Sequence, residues 1–263
     1  MRVSHYLLLL AALLLPDTAN ALQEYQVRVL EKRPQSREHF VQGLEIVDGA
    51  LYLSTGTYGA SGLFRYDFSS GRLLDQRSLP GHIFAEGVTV LGEHVYQLTW
   101  KNRLLLVYAR ATLKPRFSLS IPGQGWGLTN NGEQLIYSDG SDKLHFIAPV
   151  TGKHLHTLAV TLDGKPQQAL NELEWIDGRI WANIWGTDRI VVIDPQSGEV
   201  SAQIRLPGLL PAAERRPGTD VLNGIARDPR TGDIWVTGKR WPWLYRIELV
   251  PRGENAPTVH ETR

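Results

Sequence analysis

Short stretches of alternating polar and apolar residues follow one another along this chain, and period-two alternation is the pattern of half-buried strands. In the first such region the alternation covers 40–47, 50–55, 63–68 and 73–79, which predicts four strands in succession. Turn chemistry falls between them: Asp48-Gly49 joins the first pair and Ser69-Ser70-Gly71 the last. The same layout recurs. A glycine or acid beside an aliphatic residue opens each copy, at Gly43-Leu44, Gly87-Val88, Gly127-Leu128, Glu172-Leu173 and Gly224-Ile225. A turn glycine follows each (Gly49, Gly92, Gly132, Gly178, Gly232), and then an aromatic (Tyr52, Tyr96, Tyr137, Trp181, Trp235). A period of roughly 40–50 residues built from strands predicts a β-propeller, one blade per repeat.

The fifth copy lacks its outermost strand. After 244–249 come Pro251, Gly253 and a polar tail, whereas 25–31 alternates like a strand ahead of the first copy. The expected fold is therefore all-β: a five-bladed propeller of four-stranded antiparallel blades, closed by the N-terminal strand, which leaves no open sheet edge. The predicted organisation is a signal peptide over 1–21, a propeller catalytic domain over 22–250 and a tail over 251–263. Arg2 supplies the positive end of the signal, 6–15 its apolar stretch, and Ala19-Asn20-Ala21 the cleavage site. Export to the periplasm or outside the cell is expected.

Composition narrows the chemistry. The 263 residues are 42% hydrophobic and carry 28 basic and 27 acidic side chains, a net charge of +1. That is ample material for a core and gives no footing for nucleic acid or an anionic membrane. The chain has no cysteine, so disulfides, thiolate metal sites and cysteine nucleophiles are excluded. His154 and His156 alternate on an outer strand with no third ligand near. No H-E-x-x-H, EF-hand or G-x-S-x-G pattern occurs, so no metal site and no serine elbow are expected.

The repeat also allows positions to be compared between blades. The start of each innermost strand and the end of the next lie on one face of a propeller. Stepping back two from each aliphatic anchor gives Gln42, Glu86, Trp126, Asn171 and Asn223; stepping forward four from each aromatic gives Gly56, Trp100, Ser141, Trp185 and Lys239. Phe40 and Phe84 stand two further back. These side chains would line one mouth, apolar with a few placed polar groups, as small-ligand sites are. The loop 207–221 opens on the same face as a rim or lid. Each residue also has a structural reading. Tryptophans commonly pack between blades, and channel amides commonly satisfy backbone groups. An inward Glu86 is harder to account for in that way, because a buried carboxylate must be hydrated or paired.

The strings Phe40-Val41-Gln42-Gly43-Leu44, Phe84-Ala85-Glu86-Gly87-Val88, Leu98-Thr99-Trp100, Gly125-Trp126-Gly127-Leu128-Thr129, Asn171-Glu172-Leu173-Glu174-Trp175, Ala182-Asn183-Ile184-Trp185 and Thr237-Gly238-Lys239 resemble the plant and bacterial glutaminyl-peptide cyclotransferases. Together they touch all five repeats. The resemblance implies conversion of an N-terminal glutamine to pyroglutamate with release of ammonia. It further implies that Glu86 moves the proton and that Gln42, Asn171 and Lys239 hold the reacting groups. Phe40, Phe84, Trp100, Trp126 and Trp185 would form the aromatic pocket. Two departures stand out: Val41 where threonine is common, and Gln124 where many bacterial relatives carry an acid.

The resemblance implies no cofactor for catalysis, although some relatives hold a structural divalent cation in the channel, bound largely by backbone carbonyls. The expected partners are peptides or proteins with an N-terminal glutamine, met by a monomer, with no nucleic acid and no membrane once the signal is removed. Two other readings stay open. One is a non-catalytic propeller that binds peptides or an envelope protein at the same mouth. The other is a propeller sugar-lactone hydrolase, which would need several inward ligands around a catalytic metal.

Overall fold

The computed structural model describes residues 22–253. A long first strand, β1 (Gln23–Pro34), precedes blade 1, formed by β2 (Val41–Val47), β3 (Ala50–Thr55), β4 (Gly62–Asp67) and β5 (Leu73–Ser78). Blade 2 comprises β6 (Ala85–Leu91), β7 (His94–Thr99), β8 (Leu104–Ala109) and β9 (Pro115–Ser120). Blade 3 comprises β10 (Leu128–Asn130), β11 (Leu135–Ser138), β12 (Lys143–Ile147) and β13 (His154–Ala159), followed by a small hairpin of β14 (Thr161–Leu162) and β15 (Lys165–Pro166). Blade 4 is β16 (Leu170–Ile176), β17 (Arg179–Ile184), β18 (Arg189–Ile193) and β19 (Val200–Arg205). Blade 5 has β20 (Leu222–Arg227), β21 (Ile234–Gly238) and β22 (Trp243–Pro251) from its own repeat.

The fourth strand of blade 5 is β1. It pairs antiparallel with β22 from Tyr25↔Pro251 to Pro34↔Trp243, the closure that the alternation predicts, over a longer stretch. It does more than complete its blade. Gln23–Gln26 also pair in parallel with Ala202–Arg205 of β19, so blades 4 and 5 share one eight-stranded sheet. The innermost strands β2, β6, β10, β16 and β20 neighbour one another around the axis. All-β architecture with five blades follows.

The hydrophobic core is divided among the seams. One buried cluster fills each junction between adjacent blades, such as Val41, Leu44 and Ile46 with Trp235 and Leu244 between blades 1 and 5. Inner strands are buried on both faces, while the outer strands β5, β9 and β13 alternate or lie open. The repeat aromatics Tyr52, Tyr96, Tyr137, Trp181 and Trp235 are all core residues in these seams. The Asp48-Gly49 turn has φ of 48° and 76°, the two left-handed residues of a tight hairpin turn whose twist matches the flanking strands.

Candidate active site

The site forms where the inner strands begin. Their pairing with the second strand of each blade is irregular there: register breaks between Val41 and Gly43, Ala85 and Val88, Leu170 and Leu173, and Leu222 and Ile225. Gln42, Glu86, Asn171 and Asn223 sit within these four breaks. A bulge re-aims the side chain it carries, so a polar group can leave the seam while the following aliphatic anchor stays in it. In blade 3 the strand proper begins only at Leu128, and Trp126 holds the equivalent place through its N–H to Ser138 O at 2.9 Å.

Close approach of the five strands needs glycine. A Cβ on Gly43 would collide with the backbone of Gly87 and Val88, and one on Gly127 with the backbone of Asn171. Blade 4 has Glu172 instead, fully buried, with Oε1 accepting Leu44 N–H at 3.1 Å and Oε2 accepting Ile225 N–H at 2.9 Å. This carboxylate spans from blade 4 to blades 1 and 5. Glu174 likewise accepts Arg227 N–H at 3.0 Å. Both acids, within the inner strand β16, act as structural hydrogen-bond acceptors. A channel cation of the kind the resemblance implies for some relatives would be held largely by backbone carbonyls, with little call on side chains. Glu172 gives each of its oxygens to an N–H donor, and no group of three or more acid or imidazole side chains that could hold a metal ion exists among the described residues.

The second ring also falls in place. Gly56, Trp100, Trp185 and Lys239 each donate a backbone N–H, at 2.9 Å in every case, to Phe40, Phe84, Ala169 and Val221 respectively. These acceptors occupy one equivalent position in four blades, so Phe40 and Phe84 are set side by side. Their rings meet edge-on at 6.3 Å, Phe84 meets Trp100 at 5.5 Å, and Trp126 meets Trp185 at 6.0 Å. Trp185 is 52% exposed, which removes the core reading for this tryptophan. Ser141 does not join the ring; its hydroxyl donates to Asp139 at 2.6 Å.

Glu86 and Lys239 are each only 4% exposed. Burial pushes the Glu86 carboxyl well above the ordinary carboxylate range, and the Lys239 charge pulls it partly back. Burial holds the Lys239 ammonium below its ordinary value, opposed by Glu86 and then by Asp220. Each therefore feels the other, yet neither forms a direct ion pair among the described residues. Lys239 Nζ lies 5.0 Å from the Phe40 ring centre, a cation–π contact that offsets part of its desolvation. Gln42 Oε1 faces Asn223 Nδ2 at 3.4 Å, and Asn223 Nδ2 also donates to Val41 O at 2.9 Å. Asn171 sits against Gly127, beside Trp126. Trp126 Nε1, Asn183 Nδ2 and Asn223 Oδ1 are buried at this level without a protein partner.

Some contributors were not among the candidates. Tyr58 packs on Phe84 at 5.4 Å while remaining 54% exposed; it lies in a loop, where strand periodicity has no reach. Gln124 accepts from Trp100 Nε1 at 2.9 Å and donates to Asp139 O at 3.0 Å, so this departure fixes a wall of the pocket. The loop 207–221 is a fastened rim. Leu209 and Leu210 enter the seam of blades 4 and 5, Glu214 receives Trp243 Nε1, and Asp220 N–H donates to Lys239 O at 3.0 Å.

A propeller mouth holding one buried acid, one buried lysine and an aromatic wall defines an enzyme site with its charges withheld from water. The family model described as glutamine cyclotransferase matches residues 4–249, and the chain belongs to that family. The glutaminyl-peptide cyclotransferase of Arabidopsis thaliana is 36% identical over 230 residues, 85% of this chain and 71% of that protein. The crystal structure of the Myxococcus xanthus glutaminyl cyclase matches with a TM-score of 0.80 at 33% identity, covering 88% of this chain and 99% of that one.

Proposed function

We infer that Glu86 carries the proton traffic of a glutaminyl-peptide cyclotransferase, the activity that goes with this family. The substrate supplies its own nucleophile. The free α-amine of an N-terminal glutamine attacks the carbon of its own side-chain amide, forming a five-membered ring and a tetrahedral intermediate. The proton shed by the attacking nitrogen passes to the Glu86 carboxylate. Glu86 returns it to the side-chain nitrogen, the C–N bond breaks, and ammonia leaves with pyroglutamate as the new terminus.

The site suits each step. Folding glutamine into its cyclising conformer is a matter of confinement, which the walls of Phe40, Phe84, Trp100, Trp126 and Trp185 provide. The α-amine titrates near 8, so a modest base suffices to take its proton. Expulsion of ammonia needs an acid, and burial of Glu86 raises its pKa toward that requirement. Lys239 is placed to stabilise the oxyanion of the intermediate, a role in which one donor is worth about 3–4 kcal/mol. Gln42 and Asn171 orient the amide, whose donor and acceptor complement the unpartnered Trp126 Nε1 and Asn223 Oδ1.

The observation that carries this reading is the burial of one acid, Glu86, and one lysine, Lys239, at a single aromatic mouth. Catalysis by these groups requires no cofactor. Peptides and proteins with N-terminal glutamine are the substrates, and the working form is a monomer, away from nucleic acid and membrane. The signal-like features of 1–21 lie outside the described residues and support a periplasmic or secreted location. The test is to incubate the mature protein with a glutamine-initiated dipeptide and its N-acetylated counterpart. Ammonia from the first alone is expected; equal release from both, or from neither, contradicts cyclisation.

A further inference from the structure

The turn that carries Lys239 presents a second cation. Trp241 N–H donates to Gly238 O at 3.2 Å, closing a four-residue turn with Arg240 in third place. Arg240 has a φ of 59°, left-handed backbone that such a turn position ordinarily assigns to glycine or asparagine. Its neighbours hold it there. Arg240 N–H donates to His39 O at 2.8 Å, Lys239 N–H donates to Val221 O at 2.9 Å, and the buried Trp241 ring packs against Gly238. Strain maintained in this way beside a site points to a use for the side chain.

The guanidinium lies at the mouth. Its carbon is 5.8 Å from the Phe40 ring centre, the same ring that Lys239 approaches. Nη1 comes within 3.2 Å of where a Cβ on Gly218 would stand, so the head is threaded between Phe40 and the rim loop. Some arginines of this fold are ion-paired, as Arg65 is with Asp75 and Arg230 with Asp228. Among the described residues the Arg240 side chain forms no ion pair and no hydrogen bond, and its Nε is buried without a partner. A guanidinium cannot escape desolvation by losing its proton, so this one is set for an oxyanion from outside the chain.

We propose that Arg240 binds a carboxylate on the residue that follows the cyclised glutamine: the terminal carboxylate of a dipeptide, or the side chain of aspartate or glutamate in that place. The assignment rests on the cyclotransferase reading. With glutamine held at Lys239, the next residue of an extended peptide lies about 3.3–3.6 Å further along, and Arg240 is the adjacent cation on the same aromatic ring.

The test compares kcat/KM for Gln-Ala, Gln-Ala amide and Gln-Glu amide in the wild-type protein and in Arg240→Gln. The wild type is expected to favour at least one carboxylate-bearing substrate over Gln-Ala amide by about three- to tenfold, through KM. That preference should shrink at high salt, fall to about one in Arg240→Gln, and return in part in Arg240→Lys. Preference for Gln-Ala alone assigns the site to the chain terminus; preference for Gln-Glu amide assigns it to the acidic side chain. Should Arg240→Gln fail to fold, the wild-type ratio and its loss in salt decide the matter. Equal rates on all three substrates overturn the subsite and leave cyclisation standing. No ammonia from any of them overturns the cyclotransferase reading beneath it.

Discussion

Burial shifts both Glu86 of blade 2 and Lys239 of blade 5 toward neutrality, and the charge of each partly offsets the shift of the other. The lysine charge opposes the effect of burial at Glu86. Removing it in Lys239→Ala therefore lets the Glu86 pKa climb further. Because Glu86 must be ionised to accept the first proton, the acid limb of the pH–rate profile should move to higher pH in this variant. Turnover should fall about 100- to 1,000-fold, as for loss of an oxyanion donor. Thermal melting should change little, since the ammonium has no ion-pair partner to leave behind. A profile that keeps its acid limb would separate the two charges. Most of these residues were legible in the chain itself, because the repeat marks Glu86 and Lys239 as departures from their counterparts Gln42 and Trp185. Tyr58 and Arg240 were not legible, since a loop contact and a left-handed backbone leave no period to read.

The inner strands explain why a simple count reached the polar side chains that sit in the register breaks. Stepping back two from Val88 reaches Glu86, but strict alternation is not the cause; the pairing breaks between Ala85 and Val88. The glycines of four repeats announced close approach at the axis, and the structure bears this out at Gly43 and Gly127. What the sequence left dark was how blade 4 manages without one. Glu172 reaches Leu44 and Ile225 N–H groups far away in the chain, a pairing no local pattern encodes. Glu172→Ala leaves both donors buried and unpaired, at a cost of about 1–3 kcal/mol each. Glu172→Gln keeps one acceptor and should lose less. Urea unfolding of the two variants measures the difference; equal stability would deny the carboxylate its bridging role.

Ring closure brings the acids Glu45, Glu172 and Glu174 near one another, and burial pushes all three up. Glu45 reaches about 7 from an ordinary 4.5, while accepting Val90 N–H at 2.9 Å. A carboxyl raised on folding favours the folded state most below its unfolded pKa, and that contribution is lost as pH rises through the folded one. The melting temperature should therefore decline as pH rises through about 7, and Glu45→Gln, which keeps an acceptor for Val90, should flatten the decline. The closure itself was anticipated from the missing strand of the fifth repeat. The parallel pairing of β1 with β19 was not, because edge-to-edge contact between two blades depends on their relative placement in space. The proton role of Glu86 is tested most directly in Glu86→Gln, assayed for ammonia from a glutamine-initiated dipeptide. A folded variant that still binds the peptide but releases ammonia about 100- to 10,000-fold more slowly is the predicted result; wild-type release would contradict the mechanism.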